Sequence, residues 1–166
     1  VGFDLETLHM IQGRSLQQKH WFGLVGSLIF GFVAVVVVRE SAPVWAMLGW
    51  SALFLGHIAY SHFNSQSARA WEQGRFGKAD LQRLAQISAI GGAIWGGSSF
   101  LLGMDGNAAH LLGLWSICLA AMIFTSLLRP SVPVEAASFV STSALGSFVG
   151  LTWHGSYLLA FACLAV

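Results

Sequence analysis

From Trp21 to Val38 the chain carries no charged side chain, and the same holds from Val44 to Tyr60, Leu84 to Met104 and Ala108 to Leu128. A fifth apolar run, Val132–Trp153, contains one carboxylate, Glu135, and a sixth begins near Ser156 and reaches Val166. A bilayer core of about 30 Å is crossed by roughly 20 helical residues. Repetition of runs of this length constrains the fold more than any other feature. With 55% hydrophobic and 9% charged residues, against about 25% charged in soluble domains, the chain has too little polar surface to cover a globule in water. The expected fold is all-α and integral to the membrane, a six-transmembrane-helix bundle built from antiparallel hairpins. Its spans are about 21–38, 44–60, 84–104, 108–128, 132–153 and 156–166, the last truncated. Residues 1–20 form an amino-terminal segment and 61–83 a polar hairpin. Val1 stands where a methionine would open a chain, and the last apolar run stops at Val166. Both lead us to expect a fragment of a longer protein.

Lys and Arg set the expected orientation, because cytoplasmic loops carry the excess. With the amino terminus inside, Arg14, Lys19, Arg69, Arg75, Lys78, Arg83 and Arg129 all fall on the cytoplasmic side, and Arg39 alone falls outside. An even number of spans then returns the carboxyl terminus to the cytoplasm. Trp21, Trp45, Trp50 and Trp153 lie at or near span ends, where indoles anchor at headgroup level. Trp95 and Trp115 lie well inside their spans.

The third run reads SAIGGAIWGGSSFLLG, with five glycines. In water each interior glycine costs a helix roughly 1 kcal/mol relative to alanine. In lipid, helices associate through close backbone approach, which small residues permit. Ser88, Gly92 and Gly96 recur every fourth residue, as do Ala85, Ala89, Ala93 and Gly97; the fifth run repeats the device with Ser138, Thr142, Gly146 and Gly150. We read Ser88, Gly92, Gly96, Gly97, Gly146 and Gly150 as helix-packing positions, within one chain or across a homodimer.

Chemistry is harder to find. No nucleophile triad, phosphate loop, CxxCH or HExxH motif occurs, and no enzymatic activity is expected of this segment. Net charge is +1, which argues against a nucleic-acid partner. Cys118 and Cys163 sit in apolar runs and are expected to be buried thiols. No cofactor and no metal are expected. A haem would need two imidazoles at matching depth, and His110 with His154, or His20 with His57, would have to supply them. Glu135 is the only carboxylate close to a span interior, about one turn into the fifth helix. The scarcity of deeper charge counts against a pump or ion-coupled transporter. Trp95, Ser98 and Ser99 on the third run, Trp115, Ser116 and Cys118 on the fourth, and Thr142 on the fifth lie at broadly similar depths. Aromatic walls with a few hydroxyls suit a small amphipathic ligand, and these residues form the expected binding pocket. The polar hairpin holds SARAWEQGRFGKADLQR, with Ala68–Gln73 and Lys78–Gln86 helix-prone around Gly74 and Gly77.

From about Arg69 to Val166 the chain resembles the amino-terminal multi-span membrane regions of bacterial signalling proteins, the sensors fused to diguanylate cyclase (GGDEF), phosphodiesterase (EAL) or histidine-kinase modules. The arginine-bearing cytosolic segment, then LQRLAQISAIGGAIWGG with its Trp95-Gly96 pair, then two helices joined by LLRPSVP, carry the resemblance. It implies a multi-pass domain of the bacterial inner membrane, both termini cytoplasmic, passing a signal to a cytoplasmic output module in cis. The expected function is therefore sensory or regulatory. A small transporter or channel subunit is the first alternative, and a haem-binding membrane electron carrier the second.

Overall fold

Every described element is a helix. The structure, a computed structural model, describes residues 5–65, 78–104, 107–128 and 133–163. In chain order these form α1 (Leu5–Val38), α2 (Val44–Ser65), α3 (Lys78–Leu102), α4 (Ala108–Leu128), α5 (Pro133–Trp153) and α6 (Tyr157–Cys163). No strand occurs among the described residues. The helices outrun the apolar runs at one end of the bundle. α1 starts at Leu5 rather than near Trp21, since Gln17, Gln18 and Lys19 are good helix formers although polar. α2 continues through Asn64 to Ser65, and α3 opens at Lys78, so both flanks of the 61–83 hairpin are helical. The expected helix at Ala68–Gln73 lies outside the described residues. Arg83 donates to the Asn64 side chain and ties the two flanks together.

Among the described residues, two helices, α4 and α5, are long and apolar enough to cross a membrane, and Phe22–Val38 is a shorter apolar stretch. The six spans read from the sequence are thus not all matched by this measure. His57 interrupts α2, Gln82, Gln86, Ser98, Ser99 and the glycines dilute α3, and α6 is a seven-residue helix among the described residues.

The termini of these helices follow from local chemistry. Asn107 caps α4, its Oδ1 accepting the Ala109 N–H at 2.9 Å. α5 ends in a Schellman turn: Ser156 N–H donates to Leu151 O at 2.9 Å and Gly155 N–H to Thr152 O at 3.0 Å. Gly155 has φ +73° there, a left-handed conformation that glycine adopts without the Cβ penalty.

The most extensive contact joins α3 to α5, which are not consecutive. Ser88 meets Glu135, Gly92 meets Phe139 and Thr142, Gly96 meets Ser143 and Gly146, and Gly150 meets Ser99 and Phe100. Both sets of numbers rise together, so the two helices run parallel and α4 returns between them. A Cβ on Gly96 would stand 2.5 Å from the Ser143 carbonyl oxygen and 2.8 Å from the Gly146 Cα. One on Gly146 would stand 2.9 Å from the Gly96 Cα, and one on Gly150 2.8 Å from the Phe100 nitrogen. Backbone meets backbone here, and no side chain is available to move aside. Ser143 adds a hydrogen bond from its hydroxyl to the Gly92 carbonyl at 3.1 Å. Gly97 stands apart from the other packing glycines: a Cβ there meets nothing within 4 Å. The Ala85–Ala89–Ala93–Gly97 row lies off the seam, turned by one residue, about 100°, from the row that α5 covers.

The other flank of α3 is packed by rings. Trp50 stacks on Phe54 at 5.1 Å, and Trp95 meets both edge-on, at 5.6 and 5.3 Å. Trp50, expected at a membrane interface, is instead 1% exposed. Its indole N–H donates to the Ile94 carbonyl of α3 at 3.0 Å, which gives the buried donor the partner it requires. Among the described residues, Trp45 and Trp153 are the exposed indoles. Gly31 of α1 leaves the room that the Phe54 ring fills.

Candidate functional site

At the end of the bundle from which α3 and α5 start, the ring-packed flank opens into a cavity of about 80 Å³. Five helices contribute to its wall. Ser27 comes from α1, Phe54, His57, Ser61 and His62 from α2, Ser88, Gly91 and Trp95 from α3, Thr125 from α4 and Phe139 from α5. The lining is mixed in a particular way. Phe54, Trp95 and Phe139 supply aromatic surface, while two imidazoles and four hydroxyls supply hydrogen-bonding groups.

The spacing of α2 and α3 explains why space remains. Phe54 and Trp95 wedge the helices apart at one level. A turn away, Gly91 offers no side chain, and the His57 imidazole occupies that place. A Cβ on Gly91 would lie 2.6 Å from His57 Nε2. Phe54, His57 and Ser61 fall on the wall of the cavity because residues three and four apart share a helix face, and His62 borders them.

Behind the wall lies the one fully buried carboxyl group among the described residues. Glu135, in the first turn of α5, is 1% exposed, and its Oε1 accepts the Ser88 hydroxyl at 3.0 Å. The Ser88 proton is committed to the carboxylate, so its oxygen lone pairs are what Ser88 can offer to a group in the cavity. Ser88 therefore links the cavity to a buried acid one hydrogen bond away.

The pocket expected from the sequence is distributed differently. Trp95 lines this cavity. Ser98 and Ser99 are buried, Ser99 with no hydrogen-bond partner for its hydroxyl. The Ser116 hydroxyl bonds back to the Leu112 carbonyl at 2.8 Å on an exposed face, and Thr142 bonds back to Ser138 at 2.8 Å while covering Gly92. Cys118 faces the Ser147 hydroxyl at 3.5 Å. Trp115 packs on a separate cluster of Leu111, Leu151, Ala160 and Cys163 at the opposite end of the bundle. Among the described residues no group of three or more His, Cys, Asp or Glu side chains is arranged to hold a metal ion. Of the histidines weighed as haem ligands, His57 lines the cavity, His110 opens α4, His154 follows α5, and the His20 side chain lies outside those described.

Sequence reasoning gave Glu135 no site role, weighed His57 only as a haem ligand with His20, and placed Ser88 with the packing positions. A signal existed for the first: an ionisable residue in an apolar run is a functional candidate by default. Depth along the helix made it look peripheral, whereas the neighbouring α3 buries it completely. Comparison with protein-family models, with curated proteins and with solved structures returned no significant match.

Proposed function

We propose that this chain is a membrane-embedded regulatory domain that binds a small ligand in the α2–α3 cavity and passes its occupancy to a cytoplasmic output module in cis. The observation that carries this reading is the cavity itself: aromatic walls, convergent hydroxyls and imidazoles, and a buried acid at one remove. The mixed lining supports this reading, because dry packing defects are apolar. All six helices are taken to lie in the bacterial inner membrane with both termini inside. In support, large apolar side chains such as Phe32, Leu127, Trp153 and Leu158 are exposed, and each of the six helices carries some. The positive-inside distribution of Lys and Arg then faces the cavity toward the cytoplasm.

A ligand shifts such a domain only by its difference in affinity between two packings. The α3–α5 seam is closed and rigid, so the compliant element is the α2–α3 side. Filling the cavity by Ser61→Leu should mimic or block occupancy. With a dimer-dependent reporter enzyme fused after Val166, the Ser61→Leu domain should set a reporter output different from wild type at equal membrane expression. Equal outputs in the two would reject regulation through this cavity.

A further inference from the structure

We propose that the cavity takes a small neutral molecule bearing both hydrogen-bond donors and acceptors, a carboxamide of about four or five non-hydrogen atoms; this rests on the ligand-binding reading above and names its ligand class. Hydroxyls in apolar helices often bond back to the preceding turn. Ser116, Ser126, Ser138 and Thr142 do so here, each donating to the carbonyl four residues earlier at 2.7–2.9 Å. Three hydroxyls on the cavity wall do not. Ser27 of α1, Ser61 of α2 and Thr125 of α4 are half-buried, and among the described residues none of their hydroxyls has a protein partner or is sealed from solvent. Three helices therefore bring uncommitted donors and acceptors to one space, and a hydroxyl rotates to supply whichever is needed. Size sets the scale. One water occupies roughly 10–15 Å³ of space measured this way, so about 80 Å³ holds on the order of five water-sized groups. Neutrality follows from the wall. Among the described residues that line the cavity there is no Lys, Arg, Asp or Glu, and His57, His62 and the Glu135 behind Ser88 each have interactions within the protein. An ion would give up its hydration with no permanent counter-charge in the wall, at a far larger penalty than for a neutral amide. The amide exchanges its hydrogen bonds to water for those of the hydroxyls, while Phe54, Ile58 and Ile87 supply apolar wall for its alkyl part.

The test uses the purified chain in detergent and three probes of one planar shape: acetamide, acetate as its sodium salt and acetamidinium as its chloride. Sodium chloride at matched concentration corrects for ionic strength. Fluorescence of Trp95, assigned by its loss in Trp95→Phe, should change saturably with acetamide and about tenfold more weakly with either ion. Thr125→Val and Ser61→Ala remove hydroxyls that bond nothing else among the described residues. Each should weaken acetamide roughly three- to tenfold while leaving the unfolding temperature of the ligand-free chain unchanged. Equal or tighter binding of acetate or acetamidinium, full acetamide affinity in both hydroxyl variants, a lower unfolding temperature in those variants, or no saturable response to acetamide would each overturn the ligand class. An altered reporter output in Ser61→Leu alongside any of these would leave the regulatory reading standing and remove only the carboxamide. Equal reporter outputs alongside saturable acetamide binding would remove the regulation and leave the ligand.

Discussion

The two flanks of α3 are built on opposite plans. Toward α5, Gly92 and Gly96 remove side chains so that backbones touch, and the Ser88 and Ser143 hydroxyls carry hydrogen bonds across. Toward α2, Trp50, Phe54 and Trp95 hold the helices apart, and a cavity remains beside them. The same helix is therefore seated backbone to backbone on one side and held off by rings on the other. Small residues make a contact that cannot adjust, whereas large flat rings make one that leaves room. A regulatory domain needs both: a fixed frame, and a face whose packing a ligand can change.

The largest effect should come from the closed flank. Gly96→Leu drives a side chain into the Ser143 carbonyl and the Gly146 backbone, neither of which can rotate away. Overpacking of this kind costs 1–3 kcal/mol and occasionally more; with backbone on the receiving side we expect about 3 kcal/mol or more, read as loss of thermal stability or of folded yield in detergent. On the open flank, Trp50→Phe keeps most of the ring contact and loses the hydrogen bond to Ile94 O. It should cost about 1 kcal/mol in the same measurement. The smallest effect belongs to Gly97→Leu, with open space around it: within about 0.5 kcal/mol of wild type. A large loss at Gly97, or a mild one at Gly96, would erase the difference between the flanks.

Much of the helical framework was legible, because apolar run length reports directly on helix length. Ala108–Leu128 and the start of α2 at Val44 coincide with the runs. The start of α1 was not legible, since hydropathy marks where a chain is apolar rather than where it is helical. Four-residue spacing revealed the glycine seam, yet it offered two adjacent rows on α3 and could not say which one α5 would cover. The cavity was the least visible feature. Its walls come from five helices, and no spacing within one helix reports which faces of separate helices meet. Trp50 illustrates the same limit: its place along the chain suggested an interface, while its partner, the Ile94 carbonyl, lies 44 residues away.

The central claim is that these helices cross the membrane with the cavity at the cytoplasmic end, and cysteine accessibility tests it most directly. Single cysteines would be placed at Gly77, between α2 and α3, and at Gly106, between α3 and α4, on a Cys118→Ala, Cys163→Ala background. Intact cells would then be exposed to a membrane-impermeant maleimide. The account predicts labelling at Gly106 in intact cells and at Gly77 only after the inner membrane is opened. Labelling at Gly77 in intact cells, or protection at Gly106, would contradict it.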